Sequence, residues 1–117
     1  MLDLDHKKLE VWRKSIGFVN QIYSITACYP SDEKFGIVSQ LRRASVSVPS
    51  NISEGASRSS SRERSRFYEI ARSSLVEVDT QLEISKNLGF VSGKELAQVE
   101  SLMNEIFAML SKMKQST

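Results

Sequence analysis

Arg58, Arg62, Arg64 and Arg66 fall within nine residues of one another, in the serine-rich run SRSSSRERSR. A guanidinium is a flat, permanently charged fork of donors, shaped to meet phosphate or carboxylate oxygens. Helical spacing after Ser60 puts the last three arginines in the first two turns of a helix. That is the positive end of the helix dipole, where acidic side chains are the favourable ones. Arg62 and Arg66 also repel each other as an i,i+4 pair. Arginines gathered where the backbone offers unpaired amides make an anion site, and phosphate is the obvious anion. A plainer account is a solvated, serine-rich turn whose charge Glu63 and Glu69 partly offset.

Other site chemistry is excluded by inventory. The single Cys28 and the single His6 cannot anchor a tetrahedral zinc site. The Glu-x-x-His pairs of di-iron helices are missing too. A cysteine–histidine nucleophile pair would join Cys28 to His6, which one helix would hold about 30 Å apart. Phosphate-cradling glycine loops and nucleophile elbows are absent. The expectation is a non-enzyme with no cofactor and no metal. Glu54 reads as an i,i+4 partner of Arg58, and Met103, Met109 and Met113 as core fillers.

The elements that must position the arginines are helices. Only Pro30, Pro49 and five glycines interrupt 117 residues, and apolar residues recur at helical spacing. The spacing predicts helices over about 6–29, 32–56, 61–88 and 93–114. Helix two should bury Phe35, Val38, Leu41, Ser45, Val48 and Ile52. Helix three should bury Phe67, Ala71, Ser74, Leu75, Val78, Leu82 and Ser85. Helix four should bury Leu96, Val99, Met103, Ile106, Leu110 and Met113. Pro30 stops helix one, and Ser31 with Asp32 and Glu33 suits the start of helix two. Ser60 with Glu63, and Ser92 with Glu95, fit capping boxes, and Gly89 ends helix three. Short loops then imply one domain over 1–117, an antiparallel up-down-up-down four-helix bundle. Pro49 either kinks helix two or ends it before a short helix capped by Asn51. The kink is preferred, because it keeps Leu41, Val48 and Ile52 on one stripe.

Helix one carries two apolar stripes about 100° apart, wider than one bundle core requires. Leu9, Trp12, Ile16, Val19, Tyr23 and Thr26 form the regular stripe, expected in the core. On that reading Trp12 and Tyr23 are packing residues rather than stacking platforms. Val11, Phe18, Ile22, Ile25 and Tyr29 form the other, expected to meet a second copy of the chain.

Net charge is only +2, but it is unevenly spread. Arg42 to Arg72 holds seven basic and three acidic residues, whereas Ser73 to Ser111 holds two basic and six acidic ones. The predicted topology gathers Arg58, Arg62, Arg64 and Arg66 with Lys7, Lys8, Lys112 and Lys114 at one end. Arg42 and Arg43 lie mid-helix, one of them laid over a neighbouring helix or subunit. The expected function is binding of RNA or DNA phosphates at the basic end. The alternative is a scaffold that recruits a partner enzyme without touching nucleic acid. Hydrophobic residues make up 40% of the chain, no run approaches the ~18 residues of a membrane span, and no signal peptide is evident, so a cytoplasmic location is expected.

Leu9-x-Val11-Trp12, Tyr29-Pro30 with Glu33, Phe35-Gly36, Gln40-Leu41-Arg42-Arg43-Ala44, Ser47-Val48-Pro49-Ser50-Asn51-Ile52, Glu54-Gly55, Arg58 and Ser74-Leu75-x-Glu77 carry a resemblance. Together they resemble the four-helix-bundle intervening-sequence proteins, often encoded in insertions within bacterial large-subunit ribosomal RNA genes. Ser53 and Ser73 stand where that family usually has Ala and Gly, both small. The resemblance runs from about Leu9 to Leu110 and implies a bundle assembled as a ring, typically a homopentamer. It also implies kinship with the accessory protein of diversity-generating retroelements, which binds nucleic acid and a reverse transcriptase. It brings no catalytic residues.

Overall fold

The computed structural model describes residues 1–116. They contain α1 (Glu10–Thr26), α2 (Ile37–Ala56), α3 (Ser61–Asn87) and α4 (Gly93–Ser116), and no strand among the described residues. Three-ten turns over Asp5–Lys8 and Ser31–Glu33 precede α1 and α2. Each helix packs on the next in sequence, and α1 also packs on α4. The Cα envelope measures 44 × 28 × 20 Å.

The boundaries follow local chemistry. At α4, Ser92 Oγ accepts from the Glu95 amide at 3.1 Å, and the Glu95 carboxylate accepts from the Ser92 amide at 3.0 Å. That reciprocal box satisfies two amides at the helix start. Ser60 Oγ accepts the Glu63 amide at 3.2 Å and opens α3. At the far end of α3, Gly89 takes φ +79°, a region that favours glycine. The Phe90 amide then reaches the Ser85 carbonyl at 2.9 Å, and the Gly89 amide reaches Lys86 at 3.1 Å. This Schellman pairing stops the helix.

Helices one and two start later than the spacing predicts. Leu9 is extended, so α1 begins at Glu10, and it ends at Thr26, short of Pro30. Ser31 does not cap α2; it opens the separate three-ten turn, and α2 starts after Gly36. Glu33 folds over that glycine, where a Cβ would lie 3.0 Å from its Oε2. Phe35, expected in the seam, therefore precedes the helix and is 90% exposed. Pro49 sits inside an unbroken α2, so the two-helix alternative is not adopted. Asn51 lies within the helix and donates to the Ser47 carbonyl at 2.8 Å and to Ser47 Oγ at 2.9 Å.

The largest correction concerns which face of α1 is inside. Phe18 and Ile22 are 0% exposed, and Val11, Tyr29 and partly buried Ile25 join the same core. This stripe, expected at an interface between copies, is the chain's own core. Of the regular stripe, Thr26 is buried and Leu9, Trp12 and Val19 pack partly buried against the core, while Ile16 at 38% and Tyr23 at 42% exposure face outward. The reason is Ser15. It fills the gap between Val11 and Phe18, fully buried, with its hydroxyl donating to the Trp12 carbonyl at 2.6 Å. A serine that satisfies its own hydrogen bond behaves as a small core residue, and counting apolar residues overlooks it. Thr26, Ser45, Ser74 and Ser85 are buried in the same way, each donating to a carbonyl three or four residues back.

Elsewhere the buried stripes of α2, α3 and α4 match the spacing, apart from Phe35 and with Phe67 and Met113 half-buried. Gly55 is required by packing. A Cβ there would lie 2.7 Å from Cε1 of Tyr68, whose ring is buried and cannot withdraw. Two outcomes follow for chemical denaturation. Phe18→Ala should cost about 3–5 kcal/mol, while Ile16→Ala should cost under about 1 kcal/mol; the reverse order would restore the opposite facing of α1. Gly55→Ala should destabilise by about 1–3 kcal/mol despite alanine's better helix propensity, and a gain would contradict the close approach.

Candidate nucleic-acid interface

The α2–α3 loop spans only Ser57 to Ser60, and two of its neighbouring arginines hold it in shape. Arg64 Nη1 donates to the carbonyls of Ser59 at 2.7 Å and Arg58 at 3.1 Å. Arg58 pairs with Glu54 at 3.1 Å and lies over the Phe67 ring at 5.0 Å. Its charge is thus shared with a carboxylate and an aromatic face. Arg62 and Arg66 differ. Both are exposed, they stand one helical turn apart on α3, and neither joins an ion pair among the described residues.

Further along α3, Glu69 is the hub that draws α4 in. Its Oε2 takes Lys114 Nζ at 2.8 Å and Arg72 Nη1 at 2.9 Å. Arg72 also donates to Ser111 Oγ at 2.9 Å and lies 4.5 Å from the Phe107 centroid. Ser65 Oγ donates to the Lys114 carbonyl at 3.4 Å. So Lys114 reaches the predicted cluster but serves a pair within the chain, while Lys112, two residues earlier on α4, is exposed. Hydrogen bonds from both cations, Lys114 foremost, hold the Glu69 carboxyl below the ordinary glutamate value.

The amino-terminal turn packs on α2, with His6 in one groove with Pro49, Ser50 and Ser53. Lys8 lies 3.8 Å from Asp5, and Lys7 donates to the Leu2 carbonyl. These lysines therefore share the loop end with Arg62 and Arg66. Arg42 and Arg43 do not. They stand near the start of α2, about 20 Å along it at 1.5 Å per residue. Arg42 lies over α1: Nε donates to Thr26 Oγ1 at 2.9 Å, Nη2 to the Tyr23 carbonyl at 3.3 Å, and the guanidinium sits 4.4 Å from the Tyr23 centroid. Tyr23 is thus a half-exposed ring under a cation, not a core residue. Arg43 is exposed.

Sequence reasoning missed Arg72 as an organiser and Phe35 as a surface aromatic. The Glu69–Arg72 spacing of three, an i,i+3 pair of opposite charge, was the available signal for the first. For Phe35 it was the adjacent Gly36, which can interrupt a helix as well as tolerate one. Among the described residues no group of three or more His, Cys, Asp or Glu could hold a metal ion, and no helix is long and apolar enough to cross a membrane.

Four helices packed in sequence, with cations concentrated around one short loop, define a small all-helical protein. The chain belongs to the 23S rRNA-intervening sequence protein family, whose model matches residues 7–112. In structure it is similar to a protein of unknown function from the S23 ribosomal protein family of Bacteroides thetaiotaomicron, a crystal structure at 1.70 Å. The two share 20% identity and a TM-score of 0.79, over 89% of this chain and 97% of that one, which shows the fold. No curated protein matches the sequence.

The Glu69 hub can be titrated directly. Its folded value is lowered, so its stabilisation is complete above the ordinary glutamate value and is lost as pH falls through the lowered one. The effect is small, because the side chain is 42% exposed and solvent screens it. Carboxyl-carbon NMR should show Glu69 titrating at lower pH than a free glutamate. Lys114→Ala should move that midpoint up further than Arg72→Gln; an unmoved midpoint would mean the pair does not form in solution.

Proposed function

We propose that this protein is a non-catalytic, homo-oligomeric RNA-binding adaptor that meets phosphates at the α2–α3 end and works in the cytoplasm. The observation that carries the reading is the division among the arginines. Arg58 and Arg64 brace the loop, leaving Arg62 and Arg66 exposed on the first two turns of α3. Cations on a helix start are disfavoured for folding and favoured for an incoming anion. Lys8 and Lys112 extend the same end. The family's name, which ties it to an intervening sequence of 23S rRNA, agrees with RNA as that anion.

The architecture we infer is an antiparallel up-down-up-down bundle with α2 bent at Pro49. Supporting pairs are Ser65 with Lys114 and Arg72 with Ser111 across α3 and α4, and Ser47 with Ser74 at 2.9 Å across α2 and α3. Assembly into a ring, a pentamer by family resemblance, would repeat the arginine pair on one face and turn weak binding into multivalent binding. With the Phe18 stripe inside the core, the apolar face left for a second copy is the groove where Ile16 and Val46 are exposed, edged by half-buried Trp12 and Val19. The same apolar face supports the second reading, a scaffold that recruits a protein partner.

Binding through phosphates gives little sequence preference and a steep salt dependence. In a salt series with an RNA hairpin and a DNA duplex, an Arg62→Ala/Arg66→Ala variant should bind several-fold more weakly. Its log–log salt slope should fall by about 0.7–0.9 for each phosphate left without its cation. Arg64→Ala should lower the melting temperature, through the loop it closes. Equal affinity of wild type and the double variant would remove the basic end as the site, and no binding by wild type would favour the scaffold.

A further inference from the structure

We infer that the groove between the end of α1 and the start of α2 is a stacking site for unpaired bases of single-stranded nucleic acid. The inference rests on the reading of the chain as nucleic-acid-binding, but on residues at the other end of α2. Phe35 is 90% exposed, on the turn just before the helix, and Lys34 Nζ stands 5.5 Å from its ring centroid. Across the groove lies the Tyr23 ring, 42% exposed and covered on one side by the Arg42 guanidinium. Two hydrogen bonds fix that guanidinium to α1. Its plane is therefore set before any ligand arrives. Arg43, next to Arg42 in sequence, is exposed, and buried Val38 lines the groove.

A large aromatic ring left almost wholly in water costs hydrophobic free energy unless something else covers it. The groove says what kind of cover fits. Its lining holds three cations, two aromatic rings and no carboxylate. An apolar protein surface would strand Lys34, Arg42 and Arg43 against hydrocarbon. A nucleotide chain offers a flat ring and a phosphate in each unit, so Phe35 and the Tyr23–Arg42 pair take bases while Arg43 and Lys34 take phosphates. Bases within a duplex present no free faces, which makes the site selective for single strands. The acidic exposed turns of a second copy's α3 are the competing occupant.

The test uses anisotropy with a labelled oligouridine of twelve nucleotides and an RNA duplex of equal length. Phe35→Ala should weaken oligouridine binding about ten-fold. It should leave both the salt slope and duplex binding unchanged, since every cation stays in place. Arg43→Gln should lower the oligouridine slope by about 0.7. Unchanged thermal stability checks the fold, as both side chains are exposed. Wild-type affinity of Phe35→Ala for oligouridine overturns the stacking site. Equal losses on single strand and duplex overturn it as well. Sedimentation showing that Phe35→Ala dissociates an oligomer, with oligouridine binding unchanged, assigns the groove to a second copy and overturns it too. The basic end is judged separately: loss of duplex binding in Arg62→Ala/Arg66→Ala alone upholds that site without the groove, and Phe35-dependent binding in that variant upholds the groove without that site.

Discussion

The close approach of α2 to α3 at Gly55 sets the frame for everything at the loop end. Tyr68 lies where a side chain at position 55 would be, and Phe67 Cβ would stand 3.1 Å from it. Small residues continue the approach along both helices, with Ala44 and Ser45 buried on α2 and Ala71 and Ser74 on α3. Helices this near can be joined by a very short loop, and that loop must bring Arg58 to Arg66 to one end. Once Phe67 is fixed beside Gly55, Arg58 has a ring to lie on and Glu54 within reach. Packing thus determines which arginines are occupied and which remain exposed.

The electrostatics repeat that division at a second place. Glu69 gathers Arg72 and Lys114, which ties the end of α4 to α3 and removes two cations from the surface field. Lys14 ties α1 to α4 in the same manner through Glu105 at 2.5 Å. Such exposed pairs contribute little stability individually. Their larger consequence is for the surface potential, because a net charge of +2 leaves few cations for any partner. Arg62, Arg66 and Arg43 matter for that reason.

Much of the fold was legible in the sequence. Helices three and four were readable because their apolar spacing is uninterrupted and their ends carry unambiguous chemistry at Ser60, Gly89 and Ser92. The start of helix two was not, since Gly36 fits a helix as readily as a break. The facing of α1 was hidden because Ser15 is buried through a hydrogen bond to its own backbone, which a count of apolar residues does not register. The arginine cluster was visible as a cluster. Which of its members hold the loop depends on carbonyls of Arg58 and Ser59, and backbone acceptors have no signature in residue type. Phe35 and Tyr23, read as core, were misplaced for the same two reasons as α2 and α1.

The most direct measurement of these surfaces is where RNA touches them. Ultraviolet cross-linking of the wild-type protein to a thiouridine-containing RNA, followed by mass spectrometry, reports the touching peptides without altering any side chain. Contact through the two arginine segments predicts adducts on 34–43 and 57–67, with the exposed acidic stretch of α3 between residues 77 and 83 unmodified. Adducts concentrated on α4 or on that acidic stretch, with both arginine segments clean, would contradict it.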